Sequence, residues 1–173
     1  MKTIMAIDQG ASGAIAWHEG GQTACINMPE TPKDIIEFLE MLIYSNPDKE
    51  VKCFIEKVGG YVPGNSGPAA VKFARHCGHV EMALLSCRIP HQEVTPATWQ
   101  KAVTGAPNYP KIPKEIKGTS RKQILAKRKQ ERKNKIKMEM QRRFPGLKVT
   151  LSNADALGIL TYALMLSAGD GCF

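Results

Sequence analysis

The first 28 residues constrain the fold more than any other stretch of this chain. Three short apolar runs, TIMAID, GAIAW and TACINM, precede anything that reads as a helix. Residues 3 to 8 and 13 to 17 read as strands joined by the turn Gln9-Gly10-Ala11-Ser12. Glu19-Gly20-Gly21-Gln22 then makes a second hairpin into the third run, because paired glycines supply the positive φ that two-residue hairpin loops require. Three antiparallel strands are therefore expected first. The first of them ends on Asp8, a charge placed where the apolar pattern asks for something else.

Elements of both kinds alternate after that. Thr31-Pro32 offers a capping hydroxyl followed by a proline at the first helical position, and Ile35, Ile36, Phe38, Leu39, Leu42 and Ile43 give the helix an apolar face that ends near Asn46-Pro47-Asp48. VKCFIEKV is short, β-branched and apolar, as a buried strand is, with Glu56 near its end. GGYVPGNSGP is a glycine- and proline-rich loop leading to a helix capped at Ser66 or Gly67, in which Ala70, Phe73, Ala74, Cys77, Val80, Leu84 and Leu85 follow helical spacing. His91 to Pro96 reads as a fifth strand, and TPATWQKAV as a short helix anchored by Trp99. Residues 105 to 118 are expected to be irregular and Thr119 to Arg143 helical. Phe144-Pro145-Gly146 ends that helix, and NADALGILTYALMLSA is a final apolar helix with Asp155 in its first turn. This order points to an α/β fold: a five-stranded mixed sheet, three antiparallel strands first, with helices on both faces.

A length of 173 residues suits one domain spanning 1–173. No run approaches the roughly 18 to 20 apolar residues of a membrane span, and no signal-peptide core precedes Asp8, so a soluble, cytoplasmic protein with no membrane partner is expected. The five cysteines are scattered and form no C-x-x-C pair, which favours reduced thiols over disulfides or structural zinc. His76-Cys77-Gly78-His79 fans around a helix axis instead of converging on one point.

Charge is the most informative part of the composition. The net charge is +8, yet residues 111 to 148 hold fifteen Lys and Arg against three Glu, a local balance of +12, so the remainder carries −4. A mildly acidic body with a basic helical insertion at about 111–146 suits a grip on a polyanion. Lys114, Lys117, Arg121, Lys122, Lys127, Arg128, Lys129, Arg132 and Lys133 would contact phosphates, joined by Lys57 beside Glu56. If continuous, the basic helix would extend about 36 Å along a duplex arm. Tyr61, among glycines after Glu56, is a candidate for stacking on an unpaired base.

Three carboxylates stand at element ends where apolar residues are expected: Asp8, Glu56 and Asp155. Grouped carboxylates repel unless a cation neutralises them, and Mg²⁺ or Mn²⁺ chooses oxygen donors. Two such ions would activate water and stabilise a leaving oxygen, the chemistry of phosphodiester hydrolysis. Each acid also has a local alternative: Asp8 bonding its own turn, Glu56 pairing with Lys57 or the next strand, and Asp155 complementing a helix dipole. The stretch IDQGASG also resembles the first phosphate loop of actin-type ATPases and sugar kinases. Those need two closing domains and a second glycine-rich phosphate hairpin, and neither is present.

The segments AIDQGASGAIA, CFIEKVGGYVPGNSGPAAVKFARHCGHVEMAL, EVTPATWQKAV and SNADALGILTYAL, in that order and spacing, resemble the RuvC family of Holliday-junction resolvases, particularly its phage-type branch. The resemblance covers nearly the whole chain. It implies an RNase H-like fold, a homodimer, and symmetric, Mg²⁺-dependent nicking of four-way DNA by two ions per site. Asp8, Glu56 and Asp155 match the family's metal ligands. The family usually carries another acid three or four positions before the last of these, where this chain has Leu151 and Ser152. Asn153 offers only a carbonyl oxygen, and Ser152 and Asn153 are the remaining candidate metal donors. The alternative is a junction-binding protein of the same fold that cleaves little. Phe73 and His76 on the second helix are the first candidates for the dimer surface.

Overall fold

The computed structural model describes residues 2–44, 50–58, 67–106 and 109–169. Three strands come first, β1 (Lys2–Asp8), β2 (Ala14–Glu19) and β3 (Gln22–Asn27), followed by helix α1 (Pro32–Tyr44) and strand β4 (Glu50–Glu56). Then come α2 (Gly67–Ser86), β5 (His91–Val94), α3 (Pro96–Thr104), α4 (Gly118–Arg143) and α5 (Ala154–Gly169). The sheet order is β3-β2-β1-β4-β5, with β1, β2 and β3 antiparallel and β1, β4 and β5 parallel. This is the five-stranded mixed sheet expected, with the basic helix starting one residue earlier than the sequence suggested.

Local chemistry accounts for the element ends. Gly20 and Gly21 at φ +56° and +80° close the β2–β3 hairpin, a conformation other residues adopt only with strain. The Thr31 hydroxyl accepts from the Asp34 amide at 3.2 Å and the Asp34 carboxylate accepts from the Thr31 amide at 3.1 Å, a reciprocal cap on α1. Thr95 caps α3 in the same way, accepting from the Thr98 amide.

The pleat divides the sheet between two apolar layers. Met5 and Ile7 of β1 and Cys53 and Ile55 of β4 face α1 and α2, packing with Leu39, Val80 and Leu84. Ala6 of β1 and Phe54 of β4 face the other way, against Trp99 of α3, Ile136 and Met140 of α4, and Leu157 and Leu160 of α5. Because side chains alternate along a strand, Asp8 and Glu56 continue the Ala6 and Phe54 series toward α3, α4 and α5.

The second helix corrects one expectation. Cys77, Val80 and Leu84 are buried as its spacing predicted, and Ala83 joins them, but Ala74 is exposed and Leu85 is 60% exposed. Apolar residues on α2 occupy more than one stripe, and the sheet can cover only one. Among the described residues, no helix is long and apolar enough to cross a membrane.

Candidate active site

The first carboxylate is held at the end of β1 by a turn that admits only glycine at one position. Gly13 donates to the Gly10 carbonyl at 2.8 Å, and the Gly10 amide reaches Asp8 Oδ1 at 3.3 Å. A Cβ on Gly13 would lie 2.3 Å from the Asp8 carbonyl oxygen and 2.9 Å from its carboxyl carbon. The local alternative for Asp8, bonding its own turn, is therefore present, and the same bond leaves its second oxygen free of any bond to that turn.

Glu56 is gripped at two levels. Gln9, almost fully buried, donates its side-chain amide to the Glu56 carbonyl at 2.9 Å, tying the ends of β1 and β4 together. Trp99, fully buried, donates its indole N–H to Glu56 Oε1 at 2.9 Å. The indole rests against α5 at Gly158, where a Cβ would come within 2.5 Å of the ring. Lys57 does not pair with Glu56. It bonds Glu93 on β5 at 3.5 Å, so this predicted phosphate contact has a partner of its own.

Asp155 enters from the first turn of α5, one turn before Gly158. All three acids are half-buried. Burial pushes the Asp8 carboxyl up, opposed by the Gly10 amide, Lys133 and His76. Burial raises Glu56 to about 7, with the charges of Asp8 and Asp155 adding to it against the Trp99 bond and Arg132. Burial and Asp8 raise Asp155 to about 6 against Lys133, Arg132 and Lys129. The charge of Asp8 acts on both of the other acids, making each harder to ionise.

These influences show which residues the fold brings together. Asp8, Glu56 and Asp155 lie within electrostatic reach of one another, with Lys129, Arg132 and Lys133 of α4 beside them. On a helix, 129, 132, 133, 136 and 140 share one face. Ile136 and Met140 bury the far end of that face in the core, so the near end is aimed at the acids. His76 of α2 completes the surround, its Nδ1 at 2.8 Å from the Gln9 carbonyl, which gives it a contact inside the molecule besides any dimer role.

Other predicted residues have different placements. Lys114, Lys117, Arg121, Lys122 and Lys127 are exposed. Arg128 donates to the Pro110 carbonyl at 2.7 Å and lies 5.0 Å above the Tyr109 ring, pinning the preceding segment to α4. Asn153 spends its carbonyl oxygen on the Thr150 amide at 2.8 Å, and the Ser152 hydroxyl meets that of Thr150 at 2.9 Å. Both lie in the turn just before α5 and make these bonds within it. Tyr61 lies outside the described residues.

The donor set is all oxygen, half-buried and mutually repulsive, which fits a hard divalent ion. As the side chains stand, no three His, Cys, Asp or Glu residues among those described converge closely enough to clasp one ion. Glu56 is instead turned to the Trp99 indole. The His76-Cys77-Gly78-His79 run likewise forms no metal cluster.

The fold has solved counterparts. Thermus thermophilus RuvC matches with a TM-score of 0.54 at 17% identity over 96% of each chain. A second structure, T. thermophilus RuvC in complex with Holliday junction substrate, gives 0.54 at 16% identity over 98% of this chain and 97% of the other. The chain shares the RuvC fold. No family model and no curated protein matches the sequence. Identity this low is to be expected where the RuvC fold is kept by apolar pattern and a few fixed positions, and the burial pattern described above needs little more.

Sequence reasoning missed two residues of the site. Trp99 was legible as an anchor, but a buried indole must also find an acceptor, and that signal pointed to a polar group nearby. Gln9 is a long polar side chain next to Asp8, and its near-complete burial becomes visible only when the strands pair.

Proposed function

We propose that this protein is a metal-dependent endonuclease acting on branched DNA, with the four-way junction as its substrate. The observation that carries the reading is the placement of three half-buried acids at the ends of β1 and β4 and the start of α5, where burial first and the charge of Asp8 second raise Glu56 to about 7 and Asp155 to about 6. Three carboxylates from β1, β4 and α5 are crowded into one half-buried place under a cationic helix face. Structural packing gives no reason for such crowding, whereas a divalent cation and a phosphate would satisfy both sets of charges.

Asp8, Glu56 and Asp155 would hold Mg²⁺ or Mn²⁺, two ions per site, with Asp8 common to both couplings. Ions held there would supply activation of a water and charge neutralisation at the leaving oxygen. The chain's own residues do the rest. Trp99 orients the Glu56 carboxylate and favours its ionised form. Gln9 fixes the spacing of the strand ends that carry Asp8 and Glu56. Lys129, Arg132 and Lys133 draw a phosphodiester toward the acids, while Lys114, Lys117, Arg121, Lys122 and Lys127 hold the flanking backbone by charge without reading sequence. Tyr61 would stack at the branch point.

Paired, symmetric nicking needs two sites, and we assign the homodimer contact to the exposed stripe of α2. Val71 and Met82 are 68% and 60% exposed and lie with Ala74, Gly78 and Leu85 at helical spacing. Sedimentation of wild type and Met82→Glu should give a dimer and a monomer respectively.

Cleavage of a synthetic four-way junction in Mg²⁺ or Mn²⁺, with Asp8→Asn as control, tests the activity. Paired nicks in wild type and none in the control are expected. A second reading rests on Leu151 and Ser152 standing where the resemblance implies a fourth acid, with Ser152 and Asn153 bonded locally to Thr150: a junction-binding protein with little cleavage. Tight binding with no cutting in either metal would establish it.

A further inference from the structure

Between α3 and α4 lies a groove of about 380 Å³. Its lining combines Ala97, Gln100 and Tyr109 with the cations Lys101, Arg132 and Lys135, and includes no acidic side chain. All three cations are exposed, and none has a carboxylate partner within salt-bridge distance among the described residues. Arg132 belongs to two places at once, since it lines this groove and also acts on Glu56 and Asp155. The groove therefore shares a residue that lies within electrostatic reach of the carboxylate site.

Tyr109 is a fixed wall. Its hydroxyl donates to the Arg128 carbonyl at 3.2 Å, and the Arg128 guanidinium covers one side of the ring at 5.0 Å. The ring remains 37% exposed. Farther along the same two helices, an adjoining groove shares Thr104 and Lys135 but brings in Glu131 and Glu139. The acid-free lining therefore ends where the second groove begins.

We propose that this groove is a nucleotide subsite, taking the nucleotide next to the cleaved phosphodiester. The phosphate would sit among Lys101, Arg132 and Lys135, and the base and sugar against Ala97 and the free part of the Tyr109 ring. The Gln100 amide offers a base edge both a donor and an acceptor. The volume falls in the range of small-ligand sites, and three cations together with an alanine and an aromatic ring match a nucleotide's charged and apolar ends. An acidic protein segment would satisfy the cations but leave the alanine and the ring unused. The proposal rests on the nuclease reading above, and its test separates the two.

The uncut complex is measured by fluorescence anisotropy, using Asp8→Asn protein with a four-way junction over a range of salt. Adding Lys101→Gln and Lys135→Gln together should weaken binding by roughly tenfold or more and lower the slope of log affinity against log salt by between about one and two. An abasic site beside the cleavage position should weaken binding to the Asp8→Asn protein and have a smaller effect when Gln100→Ala and Tyr109→Ala are added. Melting temperature checks that each variant folds. Unchanged affinity and slope in the lysine variant would overturn the subsite while leaving the nuclease reading intact. Displacement of polyglutamate, but not the junction, by those substitutions would assign the groove to an acidic protein and also overturn the subsite. Failure of the parent protein to bind or cut junctions would strike the nuclease reading itself.

Discussion

Replacing Glu56 by glutamine should abolish cutting and at the same time make the metal-free protein more stable. The unfolded chain ionises this carboxyl at its ordinary 4.5, whereas the native state holds the proton to about 7. Between those values the native state binds more protons than the unfolded one, so its stability falls as pH rises through the window and the loss is complete above it. At about 1.4 kcal/mol for each tenfold change in proton affinity, the native state forfeits roughly 3 kcal/mol by pH 8, and nothing at pH 4. Residual contact of the half-buried carboxylate with water makes this an upper figure. Glutamine never ionises, and its amide oxygen can still accept the Trp99 N–H. Urea unfolding in EDTA should therefore show Glu56→Gln gaining on wild type by up to about 3 kcal/mol between pH 4 and pH 8. A gap between the two proteins that stays constant with pH, or that moves the other way, would refute the account of Glu56 as a strained acid.

Binding of Mn²⁺ requires ionised acids, so its affinity should fall as pH drops through about 7 and 6, the values for Glu56 and Asp155. Titration calorimetry in buffers of different ionisation enthalpy should show protons released near pH 6.5, and no release would place the metal elsewhere. Trp99→Phe removes a bond to a charged acceptor worth about 1.5 to 3 kcal/mol; cleavage near neutral pH should drop and recover partly at higher pH as Glu56 ionises again. Gly158→Ala forces a methyl group to within 2.5 Å of the Trp99 ring and should cost about 1 to 3 kcal/mol, read as a lower melting temperature. Neutralising Arg121, Lys122 and Lys127 together should weaken junction binding and flatten its salt dependence, with cleavage at saturating protein preserved.

Much of this was legible because it depends on local rules. Hairpin glycines, the Thr31-Pro32 cap and the short β-branched run at 51–58 each fix an element through their own neighbours. Asp8, Glu56 and Asp155 stood out because each interrupts an apolar pattern at an element end. The facing of α4 was not legible: a helix so rich in lysine shows no preferred side until Ile136 and Met140 are packed, and only then do Lys129, Arg132 and Lys133 turn to the acids. Arg128, four residues from Arg132 and alike in charge, is instead taken by Pro110 and Tyr109. Leu85 was assigned to the core because helical spacing records which residues align, not which side the sheet covers.

The pairing of Trp99 with Gly158 has a consequence for how this sequence can drift. Position 158 touches no reactant, yet it cannot grow unless position 99 shrinks, and any smaller residue at 99 gives up the N–H that holds Glu56. Substitutions at the two positions are therefore chained in one direction. A compensated exchange that restores the packing still loses the hydrogen bond, so the glycine inherits its constraint from a carboxylate on another strand.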